Sequence, residues 1–144
     1  MMMRTLLKRD ESYAIHALIY MAENPGSRTQ HIAESLAMPP AFMAKVIHKL
    51  TRSGLVKSKQ GRNGGVSVGV DLGKLSMLDV IEAISGPVVM DTCQTQEQCI
   101  TQQRQGHCQL KHIWFSTGKA IRQTLAEVSL QMIVDENRQA RKLD

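Results

Sequence analysis

Apolar residues recur at spacings of three and four through the first fifty positions, and that pattern predicts three helices in succession. Over residues 12–23 the apolar positions Tyr13, Ile15, Ala17, Leu18, Met21 and Ala22 are broad enough for a mostly buried first helix, which Asn24-Pro25-Gly26-Ser27 stops. A short second helix is predicted over residues 29–36, with Ile32, Ala33 and Leu36 facing inward and Ser27 and Gln30 spaced as a capping box. Met38-Pro39-Pro40 closes it. Proline fits the first turn of a helix, so Pro40 opens a third helix that runs to about Ser53, where Gly54 is placed to cap it.

Beyond Gly54 the period changes from helical to alternating. Leu55-Val56-Lys57-Ser58-Lys59-Gln60 and Val66-Ser67-Val68-Gly69-Val70 read as two strands, joined by a turn Gly61-Arg62-Asn63-Gly64-Gly65 whose glycines permit positive φ. Helix, short helix, turn, helix and hairpin make a winged helix-turn-helix. Residues 76–85, with Met77, Val80, Ile81 and Ile84 inward, predict a further helix ended by Gly86-Pro87. A long last helix is predicted over residues 109–137. Its apolar positions Trp114, Ile121, Leu125, Val128 and Met132 follow a seven-residue repeat suited to packing against a second copy, or to covering the chain's own core. The expected fold is mainly α with a small β-hairpin wing. Residues 1–75 form a winged helix-turn-helix domain, 76–108 a helix and cysteine-bearing loop, and 109–144 a dimerisation helix and tail.

Charge gives the predicted fold a partner. Residues 1–75 carry 11 Lys and Arg against 5 Asp and Glu, whereas residues 76–144 carry 7 against 8, so the basic excess sits entirely in front. On the third helix Met43, Val46, Ile47 and Leu50 share one face, and Lys45, His48, Lys49 and Arg52 share the opposite one. Such a face is either an ordinary solvated surface or a polyanion surface, and the basic hairpin that follows favours the second. The reading is double-stranded DNA, with the third helix in the major groove and the wing on the backbone or minor groove. Lys45, Lys49 and Arg52 supply phosphate or guanine contacts, with His48 on the same face. Lys59, Arg62 and Asn63 reach out from the wing, Arg62 toward a narrow minor groove. Ala41 and Phe42, at the start of the third helix, are placed to touch a thymine methyl, although Phe42 suits the core equally well. Arg28 and Gln30 lie where the second helix begins and can hold a phosphate.

The uncharged stretches are too short to span a membrane, and Met-Met-Met-Arg at the start lacks a signal-peptide layout, so a cytoplasmic protein with no membrane partner is expected. All 3 cysteines lie in one polar segment, Cys93-Gln-Thr-Gln-Glu-Gln-Cys99-Ile-Thr-Gln-Gln-Arg-Gln-Gly-His-Cys108. An odd number of thiols in a reducing compartment argues for metal or redox chemistry over a disulfide framework. Thiolates are soft ligands, and gaps of five and eight residues are wide for zinc, which favours an iron-sulfur cluster. A metal-free thiol switch and an electron carrier are the alternatives. No nucleophile elbow, phosphate loop or metalloprotease motif is present, so no enzyme is expected.

Together these motifs resemble the winged-helix regulator family that includes IscR, NsrR and CymR. The resemblance rests on Tyr13-Ala-Ile-His-Ala-Leu-Ile-Tyr-Met-Ala22, Ile32-Ala-Glu34, Leu50-Thr-Arg-Ser-Gly-Leu-Val56, Gly61-Arg-Asn-Gly-Gly65, Asp79-Val-Ile-Glu-Ala-Ile84 and Cys108-Gln-Leu-Lys-His-Ile-Trp114, in the family's order. It implies a homodimeric transcription factor, often a repressor, that reads a palindromic operator. It also implies a two-iron or four-iron cluster on Cys93, Cys99 and Cys108, through which nitric oxide, redox state or iron-sulfur supply is sensed. The fourth ligand departs from the IscR pattern, which has a histidine where this chain has Lys111. NsrR-like members use a carboxylate from the partner subunit at the position of Ser12, which Asp10 and Glu11 adjoin. The candidates are therefore Asp10 or Glu11, then His107, and last His16, since a lone histidine on an apolar helix is more often simply packed.

Overall fold

A computed structural model describes residues 1–144. Helix α1 (Arg9–Glu23) starts three residues before the apolar pattern does, because the side chain of Glu11 turns back to accept from the Lys8 amide at 2.8 Å and holds the first turn closed. Its inward face, Ala14, Ile15, Ala17, Leu18 and Met21, is buried, and α3 (Pro40–Arg52), β2 (Gly65–Val68), α4 (Met77–Ser85) and α7 (Leu130–Leu143) pack around it. Helix α2 (Thr29–Ser35) buries Ile32 and Ala33, and helix α3 (Pro40–Arg52) buries Met43, Val46, Ile47 and Leu50, the face that spacing predicts. Helix α3 ends as expected. Gly54 takes φ 82° and its amide donates to Thr51 O, while the Leu55 amide donates to Leu50 O, the paired bonds of a Schellman cap.

The expected capping box of α2 does not form. Ser27 Oγ donates to Asn24 O at 2.7 Å and Gln30 Nε2 donates to Glu34 Oε1 at 3.0 Å, leaving Arg28 as an N-cap whose side chain makes no capping bond. The reason lies in the wing: the backbone of Ser27 is committed to Val66, whose amide donates to Ser27 O at 2.8 Å. The other end of α2 closes with the same pair of bonds as α3, from Ala37 to Glu34 O and from Met38 to Ala33 O, but with alanine at the left-handed position, φ 51°.

Strands β1 (Val56–Lys59) and β2 (Gly65–Val68) pair antiparallel, Val56 opposite Val68 and Lys59 opposite Gly65, and Val56 and Val66 point into the core. A Cβ on Gly65 would overlap the carbonyl oxygen of Gly26, so this glycine is what lets the chain beyond α1 lie against β2. Helix α4 (Met77–Ser85) begins at a reciprocal capping box, Asp79 N to Ser76 Oγ at 3.1 Å and Ser76 N to Asp79 Oδ2 at 2.9 Å, and ends at Gly86 with φ 81°.

The last helix is two. Helix α6 (Gln109–Ala126) stops, and α7 (Leu130–Leu143) begins at Ser129, whose side chain caps the Met132 amide at 3.2 Å. Backbone bonds from Met77 N to Val128 O and from Leu130 N to Leu75 O tie the break to the start of α4. The turn sends α7 back along α1, where Leu130 and Val134 are buried and Arg138 and Arg141 meet Glu23. The seven-residue stripe is therefore divided: Trp114, Ile121 and Leu125 are half-buried on α6, while Met132 is exposed on α7. No helix is long and apolar enough to cross a membrane.

Two substitutions test this local reading in opposite directions. Ala37→Gly relieves the left-handed strain and is expected to stabilise by about 0.5–1 kcal/mol. Gly65→Ala forces β2 away from Gly26 and is expected to destabilise by roughly 1–3 kcal/mol. Urea unfolding of both variants reads the two signs; a stabilising Gly65→Ala would contradict the packing described.

Candidate nucleic-acid surface and three-thiol cavity

The outer face of α3 presents Ala41, Lys45, His48, Lys49 and Arg52 to solvent, as the helical period requires once Met43, Val46, Ile47 and Leu50 are buried. Lys49 is not free: its Nζ lies 3.1 Å from Asp10 Oδ2 at the start of α1, a half-exposed pair worth about 0–1 kcal/mol. Phe42 departs from the DNA-contact expectation. Its ring is half-buried and meets Tyr13 edge-on, centroids 5.4 Å apart, so packing uses the aromatic surface.

Lys59, Arg62 and Asn63 are exposed on the wing. Arg28 turns out to hold that wing: its Nη2 donates to Arg62 O at 2.9 Å and approaches Gly61 O at 3.4 Å. Gln30 is exposed on α2 and bonded to Glu34. Arg28 thus links the start of α2 to the wing, a positioning role that spacing along the sequence did not reveal.

The cysteine segment is less of a loop than its composition implies. It contains a short 3-10 turn (Thr92–Gln94) and helix α5 (Ile100–Gln105), and each thiol sits at the start of a helical element: Cys93 in the 3-10 turn, Cys99 at the N-cap of α5 and Cys108 at the N-cap of α6. The local causes are readable. Asp91 caps the turn through the Thr92 amide at 2.6 Å, and Gln94 Oε1 accepts from the Met90 amide at 2.7 Å. Gly106, at φ 74°, ends α5. All three thiols line one cavity of about 170 Å³, together with Asp91, Glu97, Lys111 and Trp114.

The thiols differ electrostatically. Partial desolvation pushes Cys93 up, and the negative charges of Asp91, Cys99 and Cys108 add to that. Cys99 is lowered, chiefly by the backbone amides of Gln102 and Thr101, with Lys111 helping. Cys99 is accordingly readier than Cys93 to act as thiolate. No three His, Cys, Asp or Glu side chains stand close enough to chelate a single ion. A mononuclear site needs ligands about 2.3 Å from one point, whereas a polynuclear cluster takes thiolates spread across its width. The three thiols are soft donors of the kind such clusters take, and they line one cavity.

None of the four candidate fourth ligands lines this cavity within the chain. Asp10 is paired with Lys49, Glu11 is buried in the cap of α1, His107 Nδ1 donates to Gln105 O at 3.0 Å, and His16 is exposed on α1, not packed. The carboxylates that do line it, Asp91 and Glu97, escaped the sequence reading. The spacing of Asp91 and Gln94 as a capping box was the available signal.

The Rrf2 family model, described as an iron-dependent transcriptional regulator, matches residues 7–136. A curated relative, protein aau3 of Rhizobium meliloti, is 33% identical over 89 residues, which cover 60% of this chain and 58% of that protein. Among solved structures, IscR of T. potens superposes with a TM-score of 0.73 at 20% identity, covering 94% of this chain and 90% of that one. CymR, the global cysteine regulator of B. subtilis, does so with a TM-score of 0.71 at 19% identity, covering 92% and 98%. These likenesses agree with the fold: helices, one antiparallel hairpin and a winged-helix order.

Because Arg28 contacts the wing through backbone carbonyls, Arg28→Ala is expected to cost only about 0.5–1.5 kcal/mol of global stability. It should nevertheless accelerate amide exchange across residues 61–63. Unchanged exchange there would mean the wing holds its shape without the guanidinium.

Proposed function

The chain belongs to the Rrf2 family of transcriptional regulators, and from that premise we propose that it binds a palindromic operator as a homodimer, acting as a repressor under the control of an iron-sulfur cluster on Cys93, Cys99 and Cys108. The observation that carries this reading is the convergence of the chain's only three thiols, from three separate helical starts, on one cavity. Such a cluster, when bound, supplies iron that reacts with nitric oxide and oxidants. Two-iron and four-iron forms both suit three cysteines with a further ligand from Asp10 or Glu11 of a second copy, His107 or His16.

Dimerisation is supported by α6. Gly118 is its one buried residue among 18, while Leu110, Ile113 and Phe115 are 56%, 52% and 65% exposed. A second copy related by a two-fold axis removes that apolar surface from water and sets two α3 helices for successive major grooves, about 34 Å apart. In that arrangement Lys45, His48, Lys49 and Arg52 contact bases and phosphates, with Ala41 at the groove, Lys59, Arg62 and Asn63 on the flanks and Arg28 and Gln30 near the backbone.

The cavity is joined to this machinery by covalent and ionic paths. Residues 86–108 connect α4, which packs on α1 and α3, to α6, and Arg122 of α6 bonds both Glu82 of α4 and the carbonyl of Val88. Ordering or releasing the cysteine segment therefore bears on the angle between α6 and the DNA-binding domain. Two-site linkage then makes DNA affinity depend on the state of the thiols. A metal-free thiol switch is the second reading, favoured by the depressed Cys99 thiol.

Protein purified without oxygen is expected to carry iron and acid-labile sulfide. Cys93→Ala, Cys99→Ala and Cys108→Ala should each abolish both while leaving a folded dimer, since none of these residues belongs to the core. A wild-type protein free of iron and sulfide would sink the cluster reading and leave the thiol switch. Separately, Lys45→Ala or Arg52→Ala should weaken binding to all duplexes and reduce the salt slope by about one ion per lost phosphate contact. An unchanged slope would remove α3 from the interface.

A further inference from the structure

The cavity that holds the three thiols also contains two carboxylates, Asp91 and Glu97, and one cation, Lys111. Lys111 lies in the first turn of α6, three residues after Cys108, and forms no ion pair with any carboxylate. Its Nζ is tethered instead to the side-chain carbonyl of Gln102 at 3.1 Å, across from α6 to α5. That bond gives an otherwise exposed lysine a fixed place on the wall of the cavity, against the helix that starts at Cys99. With the thiols ionised, the lining would carry five negative charges against this one positive charge.

We infer that Lys111 is the counter-charge of the three-thiol cavity, lessening the repulsion that small anionic thiol-reactive molecules meet there and opposing the negative charge of whatever the thiolates hold. A lysine serves here where a histidine ligand would not, because an ammonium has donors and charge but no lone pair for iron. Its effect is electrostatic. Its charge reaches Cys99, since Lys111 is among the groups that lower that thiol. Where the cluster of the preceding section is bound, and resting on that reading, the same ammonium favours the more negative, reduced state, since net charge and surrounding hydrogen bonds set the potential of such centres.

The test uses the metal-free protein, in which every cysteine of the chain lines the one cavity. Its thiols are alkylated by iodoacetate and, in parallel, by neutral iodoacetamide. Both reagents are attacked by the same thiolate with loss of iodide, so the ratio of their rates reports local potential apart from thiolate fraction. In Lys111→Gln the iodoacetate to iodoacetamide ratio is expected to fall about fivefold at low salt, and the difference should shrink at high salt. Lys111→Arg should keep the wild-type ratio. Lys119→Gln, which removes a charge from the same helix but lines a different cavity, should also keep it. A ratio unchanged in Lys111→Gln, or lowered equally in Lys119→Gln, overturns the assignment. In cluster-loaded protein Lys111→Gln should shift the reduction potential to more negative values, and an unmoved or more positive potential counts against the proposal. Failure to load iron would strike the cluster reading alone, because the alkylation ratio is measured without it.

Discussion

Burial of α1 is the constraint on which the rest of the molecule depends. Ala14, Ala17, Leu18 and Met21 are all but fully buried on the helix around which α3, α4, β2 and α7 pack. Fully burying a large apolar side chain such as Leu18 is worth roughly 1.5–3 kcal/mol. The ends of the same helix reach the working parts. At its N-terminus Asp10 meets Lys49 of α3. At its C-terminus the chain runs through Gly26 and Ser27 onto the edge of β2, and Glu23 receives Arg138 and Arg141 of α7. One buried helix thus sets the positions of the basic helix, the wing and the C-terminal return.

The thiols are placed on the opposite principle. None contributes to the core, and all three stand at the starts of short or exposed helical elements joined by polar turns. A segment with so little apolar burial has little of its own folding energy to resist rearrangement, which is a property expected of a sensing element and not of a scaffold. The segment joins α4, which packs on α1 and α3, to α6, whose Arg122 pairs with Glu82 of α4. Under the proposed function, chemistry at the cavity changes how α6 sits against α4 without disturbing the core.

Most of the winged helix was legible because its signals are local and mutually consistent: the three-and-four spacing of Met43, Val46, Ile47 and Leu50, Pro40 at a first turn, Gly54 at a C-cap, and alternation across the hairpin. What was missed depends on tertiary partners. The break at Ser129 is invisible to a heptad count, since Val128 and Leu130 are both apolar and only backbone pairing with Leu75 and Met77 makes the turn necessary. Ser27 and Gln30 had the spacing of a capping box, but the edge of β2 took Ser27's backbone. The cysteines announced soft-ligand chemistry by type and gap. Their gathering with Asp91, Glu97 and Lys111 arises from 3-10 and helical turns within a segment that read as polar loop.

The central claim is that the state of the three-thiol cavity governs DNA affinity. Its most direct test is to titrate the same operator duplex, at one fixed salt concentration, with iron-sulfur-loaded protein and with the same preparation after the iron has been removed. The account predicts dissociation constants that differ by about tenfold or more, within the usual range of coupling between two sites. Equal constants, measured with the loaded protein shown to hold its full iron and sulfide, would contradict it.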